Sequence, residues 1–265
     1  MNGLRYQKPQ ARSLGIWLLV ATLVILAWML PRIPQPVEYH DFADQDSCFG
    51  MPNCLNTVSN ALIVLAGLAG LHFLHGEPGR STFREPREAL PYTMFFFAVI
   101  LTGLASGYYH LAPDNHRLAW DRAAITLALM SWFAAILCER FGPAIGLRLL
   151  PLLLVAGLGS VAYWGWSEAH GRGDLRAYGL IQLLVLLLTP LLFLTYPPRY
   201  SGDKDILAII GLYVLALLCD FSDRRIATLT GMVSGHTLKH LVAALSAYWV
   251  VLRLKRRTPS EPRRA

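Results

Sequence analysis

The chain has 265 residues, 54% of them hydrophobic and 15% charged, with a mean hydropathy of +0.41. This composition excludes a soluble globular domain and points to an integral membrane protein. The net charge of +7 falls in the segments between apolar stretches and at the C-terminus, a placement that argues against nucleic acid as a partner.

A helix needs about 20 mostly apolar residues to cross a hydrocarbon core. Eight stretches qualify: 14–31, 57–75, 91–112, 119–138, 145–166, 177–196, 205–221 and 235–253. No internal repeat, low-complexity tract or soluble domain interrupts them. The first, "SLGIWLLVATLVILAWML", is long for the apolar core of a signal peptide and no small-residue cleavage site follows it, so it is expected to stay as a membrane helix. With a cytoplasmic N-terminus, most of the 24 lysines and arginines fall on the inner side, including Arg253, Lys255, Arg256 and Arg257. The positive-inside rule then puts both termini in the cytoplasm and the tail "RLKRRTPSEPRRA" against the inner leaflet.

The loop after the first helix carries Cys48 and Cys54, which can pair in an oxidising compartment or stay free; Cys138 and Cys219 read as packing residues inside helices. In the second stretch, His72 and His75 lie at the inner end. The third ends "LTGLASGYYHLAPD", with Ser106 and His110 four apart and hence on one helical face. The fourth begins "LAWDRAAI" and carries Asp121 near its outer end. His116, beside Asp114, and His170 read as surface residues, while Tyr163, Trp164 and Trp166 fit an interfacial aromatic belt. Asp220 and Asp223 flank the outer end of the seventh stretch and can line an entrance. The last stretch opens "SGHTLKHL", with His236 and His240 on one face and Lys239 directed away from it, toward headgroups or an anionic substrate.

Two histidines four apart are a weak signal and, taken alone, read more readily as interfacial residues bonded to neighbours. Topology adds weight, because it brings Ser106, His110, Asp121, His236 and His240 to one depth on the outer side, and polar groups within a membrane are individually costly. Three imidazoles with a fourth position open suit catalytic zinc. Asp121 would then accept a proton from water or orient a ligand, and Ser106 would bind an oxyanion. A competing reading makes Ser106 a nucleophile with His110 as its base, which leaves His236 and His240 without a role.

The motifs "ASGYYH", Asp121 and "GHTLKH", with "LNTVSNALIVLAG" at 55–67, resemble in order and spacing the signature of the alkaline ceramidases and their seven-helix hydrolase superfamily. The resemblance covers about residues 40–253. It implies an all-α polytopic membrane protein: an extra helix in 1–31, a seven-helix core in 32–253 and a basic tail in 254–265. It implies a zinc amidohydrolase that cleaves the N-acyl bond of ceramide or a similar lipid amide, with His110, His236 and His240 as zinc ligands and Ser106 and Asp121 as catalytic residues. A calcium site, as in eukaryotic ceramidases, would use Asp41, Asp44 and Asp46, although Asn53 stands where that family has a glutamate. Lys239 replaces an aromatic residue of the family. The extra helix and these departures are similar to what a bacterial relative in the inner membrane would show. A non-catalytic, receptor-like or hemolysin-like member with a structural or regulatory zinc is the alternative. A transporter using a His/Asp proton relay is the third reading, but the paired halves and broken midplane helices of repeat-built transporters are absent.

Overall fold

The computed structural model describes residues 9–260 and is all-helical. The helices are α1 (Pro9–Met29), α2 (Cys54–His75), the short α3 (Glu77–Arg80), α4 (Ala89–Leu111), α5 (Asn115–Phe141), α6 (Pro143–Ala169), α7 (Arg176–Thr195), α8 (Asp203–Phe221), α9 (Asp223–Thr230) and α10 (Gly235–Arg256). Among the described residues, six helices are long and apolar enough to cross a membrane: α2, α4, α5, α6, α7 and α10. A seventh crossing arises if α8 and α9, bent by 79° at Ser222, count as one. Together they mark a membrane-embedded protein. The apolar part of α1, Leu14–Met29, is shorter than these spans. Arg5, Lys8, Arg263 and Arg264, which belong to the basic residues assigned to the inner side, lie outside the described residues.

The predicted stretches therefore recur as helices, with ends displaced by a few residues. α3 and α9 are the additions. The α9 sequence "DRRIATLT" is polar and too short to read as a span, and it follows the corner at Ser222.

α2 packs between α4 and α10, α4 between α2 and α5, and α10 also packs against α8. α5, between α4 and α6, is the most buried span, whereas α7 is the least buried and touches α8 only sparsely. Small residues permit the closest approach. A Cβ on Gly103 of α4 would lie 2.6 Å from Val64 Cγ2 and 2.9 Å from the Asn60 carbonyl oxygen of α2. Any larger residue there would separate the two helices that carry Ser59 and His110.

Two buried polar clusters close the ends of the bundle. One gathers the histidines. The other joins Glu139 of α5 to Arg253 and Arg257 at the far end of α10. α10 thus runs past its predicted end at 253, and Arg253 and Arg257 turn inward instead of trailing toward headgroups. Ser201 N–H donates to the Thr258 carbonyl (2.8 Å) and Ser260 N–H to that of Arg199 (2.9 Å), so the described start of the tail is pinned to the bundle.

Candidate metal centre

His110 sits in the last turn of α4, which stops at Leu111 ahead of Pro113, a residue that disfavours helix in its predecessor. The side chain of Asn53 donates to the His110 carbonyl (2.8 Å), holding that helix end. Asn53 therefore contributes an amide where the family resemblance would have placed a carboxylate ligand. His236 and His240 lie in the first two turns of α10. Ser234 caps this helix by accepting from Thr237 N–H (3.0 Å). Asp223 adds a second cap, with one oxygen accepting from His236 N–H (2.8 Å) and the other from Ala43 N–H (2.8 Å).

Gly235 makes this docking possible. A Cβ there would fall 2.2 Å from the Cys219 carbonyl oxygen and 2.7 Å from Asp223 Cα. The start of α10 presses so closely on the α8–α9 corner that only glycine fits, and the contact sets His236 beside Asp220.

The three imidazoles form a compact triangle, with ring centroids 4.8 Å apart for His110–His236, 4.9 Å for His236–His240 and 5.1 Å for His110–His240. All three residues are buried. His110 Nε2 and His236 Nε2 are 3.2 Å apart, and one potential ligand nitrogen from each residue lies within 4.8 Å of the others. Such a group can hold a metal ion, because each neutral imidazole presents one lone pair.

Outer partners fix which nitrogen points inward. His236 Nδ1 lies 2.7 Å from Asp220 Oδ1, so its N–H donates outward and Nε2 is left free. His240 Nδ1 lies 2.8 Å from Ser59 Oγ. The Ser59 hydroxyl in turn donates to the Asn56 carbonyl (3.1 Å), which leaves the Ser59 oxygen as acceptor for His240. His110 Nδ1 has no such partner. Phe42 covers the triangle, with its ring 4.7 Å from His110 and 4.5 Å from His236.

Ser106 and Asp121 adjoin the triangle. Ser106 Oγ is 3.5 Å from His240 Nε2 and also interacts with the Asp121 carboxylate. Both residues are buried, and Asp121 Oδ1 has no hydrogen-bond partner. They share with His240 the wall of a cavity of about 270 Å³ that extends between α4, α5, α7, α8 and α10 over side chains such as Val99, Trp132, Val185 and Ile209. A second cavity of about 420 Å³ borders His236 and is lined also by Glu38, Asp41 and Arg224. Tyr39 and Asp220 line both.

All five predicted site residues thus meet in one place. The predicted calcium ligands do not assemble, and among the described residues the histidine triad is the group able to hold a metal. Asp41 pairs with Arg224, Asp44 accepts from Asn56 N–H (2.8 Å) at the start of α2, and Asp46 is exposed. The adjoining Cys48 and Cys54 form a disulfide.

Two further expectations are corrected. Lys239 does not face away from the site: its Nζ is 3.3 Å from Asp220 Oδ1 and the side chain lines the apolar cavity. Trp164 is fully buried rather than interfacial, and its indole N–H donates to Glu168 (3.1 Å). His72, His75, His116 and His170 are exposed, as expected of surface residues.

Sequence reasoning gave no role to Ser59, Asn56 or Phe42, and it placed Asp220 only at an entrance. A signal existed for α2: Asn56, Ser59 and Asn60 recur at helical spacing within a membrane span, where polar side chains are costly.

No known family model matches the chain, and no curated protein matches it in sequence.

Proposed function

We propose that the protein is an intramembrane zinc-dependent amidohydrolase that cleaves the N-acyl bond of ceramide or a similar long-chain lipid amide. The observation that carries this reading is the convergence of three buried imidazoles beside Ser106 and Asp121 at the polar end of an apolar cavity. Three ligands with one position open is the catalytic rather than the structural pattern for zinc. Tetrahedral zinc at 2.0–2.1 Å from each nitrogen sets its ligands about 3.4 Å apart, close to the 3.2 Å between His110 Nε2 and His236 Nε2. The carboxylate behind His236 further favours a divalent cation in front of it.

Bound there, zinc would lower the pKa of a water toward about 7 and polarise a carbonyl. The chain's own residues supply the rest. The apolar side chains of the cavity hold the acyl chain, which leaves the amide at its polar end. As water adds to the amide carbon, Asp121 accepts the proton that water loses, and Ser106 donates to the carbonyl oxygen as that oxygen gains charge. When the C–N bond breaks, Asp121 returns the proton to the departing nitrogen, and the products are a fatty acid and an amine. In this reading both termini are cytoplasmic, the membrane is a bacterial inner membrane, and the site faces the outer leaflet.

The test combines metal content with fatty-acid release from a panel of N-acyl lipids, for the native protein and His236→Ala. Stoichiometric zinc and acid release that vanish together in the variant are the expected result. Zinc without release would favour the receptor-like or hemolysin-like reading, in which the ion is structural. Native protein that takes up no zinc would remove the proposal.

A further inference from the structure

The hydrolytic reading leaves Arg122 without work. It follows Asp121 on α5, is 6% exposed, and lines the same apolar cavity as Ser106, Asp121 and His240. Its guanidinium lies 4.3 Å from the ring of Trp164, 4.9 Å from Tyr178 and 5.6 Å from Tyr39. Nη2 donates to Gln35 Oε1. Nη1 is buried with no hydrogen-bond partner, and Arg122 enters no ion pair among the described residues. Asp121 lines the same cavity and acts on Arg122 electrostatically, but it forms no ion pair or hydrogen bond with it, since consecutive helical residues do not face each other.

An aromatic cage offsets the burial of a cation only in part, because ring faces replace little of the hydration that the charge loses. Ring faces also leave the in-plane N–H donors unused. Lys239 brings a second cation to the cavity. It pairs with Asp220 Oδ1, the oxygen that also accepts from His236, and this single contact leaves the ammonium with further donors to offer. Two cations with spare donor capacity therefore border an apolar cavity next to the imidazoles.

We propose that Arg122 and Lys239 form an oxyanion-recognition subsite, and that the substrate is an anionic long-chain amide whose head carries a carboxylate or a phosphate near the scissile bond. This rests on the reading of the cavity as a lipid-amide site. The anion would accept charge-assisted hydrogen bonds from the Arg122 guanidinium and Lys239 Nζ, with the acyl chain running on into the cavity. A neutral head would leave both cations as they are.

The experiment uses full-length protein in lipid nanodiscs and three amides with the same acyl chain: N-acyl ethanolamine, N-acyl glycine and N-acyl ethanolamine phosphate. Native protein is expected to favour at least one anionic amide in kcat/KM by about 10- to 100-fold, the worth of one charge-assisted contact. The better of the two identifies the head. In Arg122→Gln the anionic-to-neutral ratio is expected to fall toward one, and in Arg122→Lys to recover in part. The ratio is read within one preparation, so a misfolded fraction cancels. Lys239→Met tests the same ratio without touching the contact to Gln35.

Turnover of all three amides at similar kcat/KM, or a ratio unchanged in both Arg122→Gln and Lys239→Met, would overturn the subsite and leave the hydrolase reading intact. If no amide is cleaved, binding of N-acyl glycine and N-acyl ethanolamine is measured directly. Anion-selective binding that is lost in Arg122→Gln would sustain the subsite and remove the hydrolase. Equal binding would remove both, with Arg122 then a brace for Gln35.

Discussion

At one end of the bundle Glu139 is gripped by Arg253 through two contacts (2.9 and 2.6 Å), by Arg257 and by the Tyr92 hydroxyl. Nearby, Arg140 pairs with Asp203 (2.5 Å) and Arg199 with Glu88 (2.9 Å). At the other end three imidazoles face one another across a few ångströms with no opposite charge between them, and the oxygen of Asp121 and the donor of Arg122 lack partners. Both clusters are buried and polar, yet they are satisfied in different ways. The arginine cluster answers charge with charge inside the chain, although Arg257 Nε and Nη2 also lack hydrogen-bond partners, and it behaves as a clasp between α4, α5 and α10. The histidine cluster has outer partners but an unanswered centre, and that incompleteness marks it as a place for a ligand.

Substitutions can break this contrast. The largest effect is expected for His110→Ala, which should abolish stoichiometric metal binding, checked by metal analysis, while the α-helical circular dichroism persists. Next in size is the clasp. Glu139→Gln leaves two arginines buried without their carboxylate and should destabilise the fold by about 3–5 kcal/mol, measured as detergent-resistant unfolding, with metal content unchanged in the folded fraction. An equal loss of metal would show that the two ends are not independent.

Asp220→Asn sharpens the contrast by leaving the ligands in place and removing the acceptor behind His236. Metal affinity should fall by about 10–100-fold, read by chelator competition; an unchanged affinity would separate Asp220 from the centre.

The smallest effect concerns Asp174, in the connection between α6 and α7. Hydrogen bonds from Arg176, aided by the Tyr163 hydroxyl (2.8 Å), hold its carboxyl at about 2, below its ordinary value near 4. A depressed carboxyl stabilises the fold fully above its unfolded value, and the contribution is lost as pH falls from about 4 through about 2. Arg176 also stacks on Trp28 and donates to the Leu30 carbonyl (2.6 Å), so acid should loosen α1 from the bundle. Trp28 fluorescence followed from pH 5 to 2 should show that transition, and Asp174→Asn should lack it.

The site was legible to the extent that its ligands repeat along helices. His236 and His240 announce a shared face four residues apart, and the alternating direction of the spans brings His110, Ser106 and Asp121 to the same depth. Asp220 was harder to read, because its role depends on the corner at Ser222 and on the absence of a side chain at Gly235. Phe42 could not be read at all. It lies in an irregular segment, where no periodicity tells which side chains turn inward. Lys239 was misread because helical phase alone directs it away from the histidines, while a carboxylate on the neighbouring α8 draws it to the cavity.

By itself, the sequence determined the solvent and the elements: runs of apolar residues long enough for a hydrocarbon core leave the backbone little alternative to helix, since each polar backbone group there must be satisfied within its own segment. It also determined which side chains share a helical face. Only the tertiary structure decided which carboxylate stands behind which histidine, that the loop aspartates take cation and backbone partners instead of gathering around an ion, and that Arg122 is buried with a donor to spare. Those outcomes depend on distances between helices far apart in the chain, and such distances are set by glycine contacts and corner angles that no local pattern encodes.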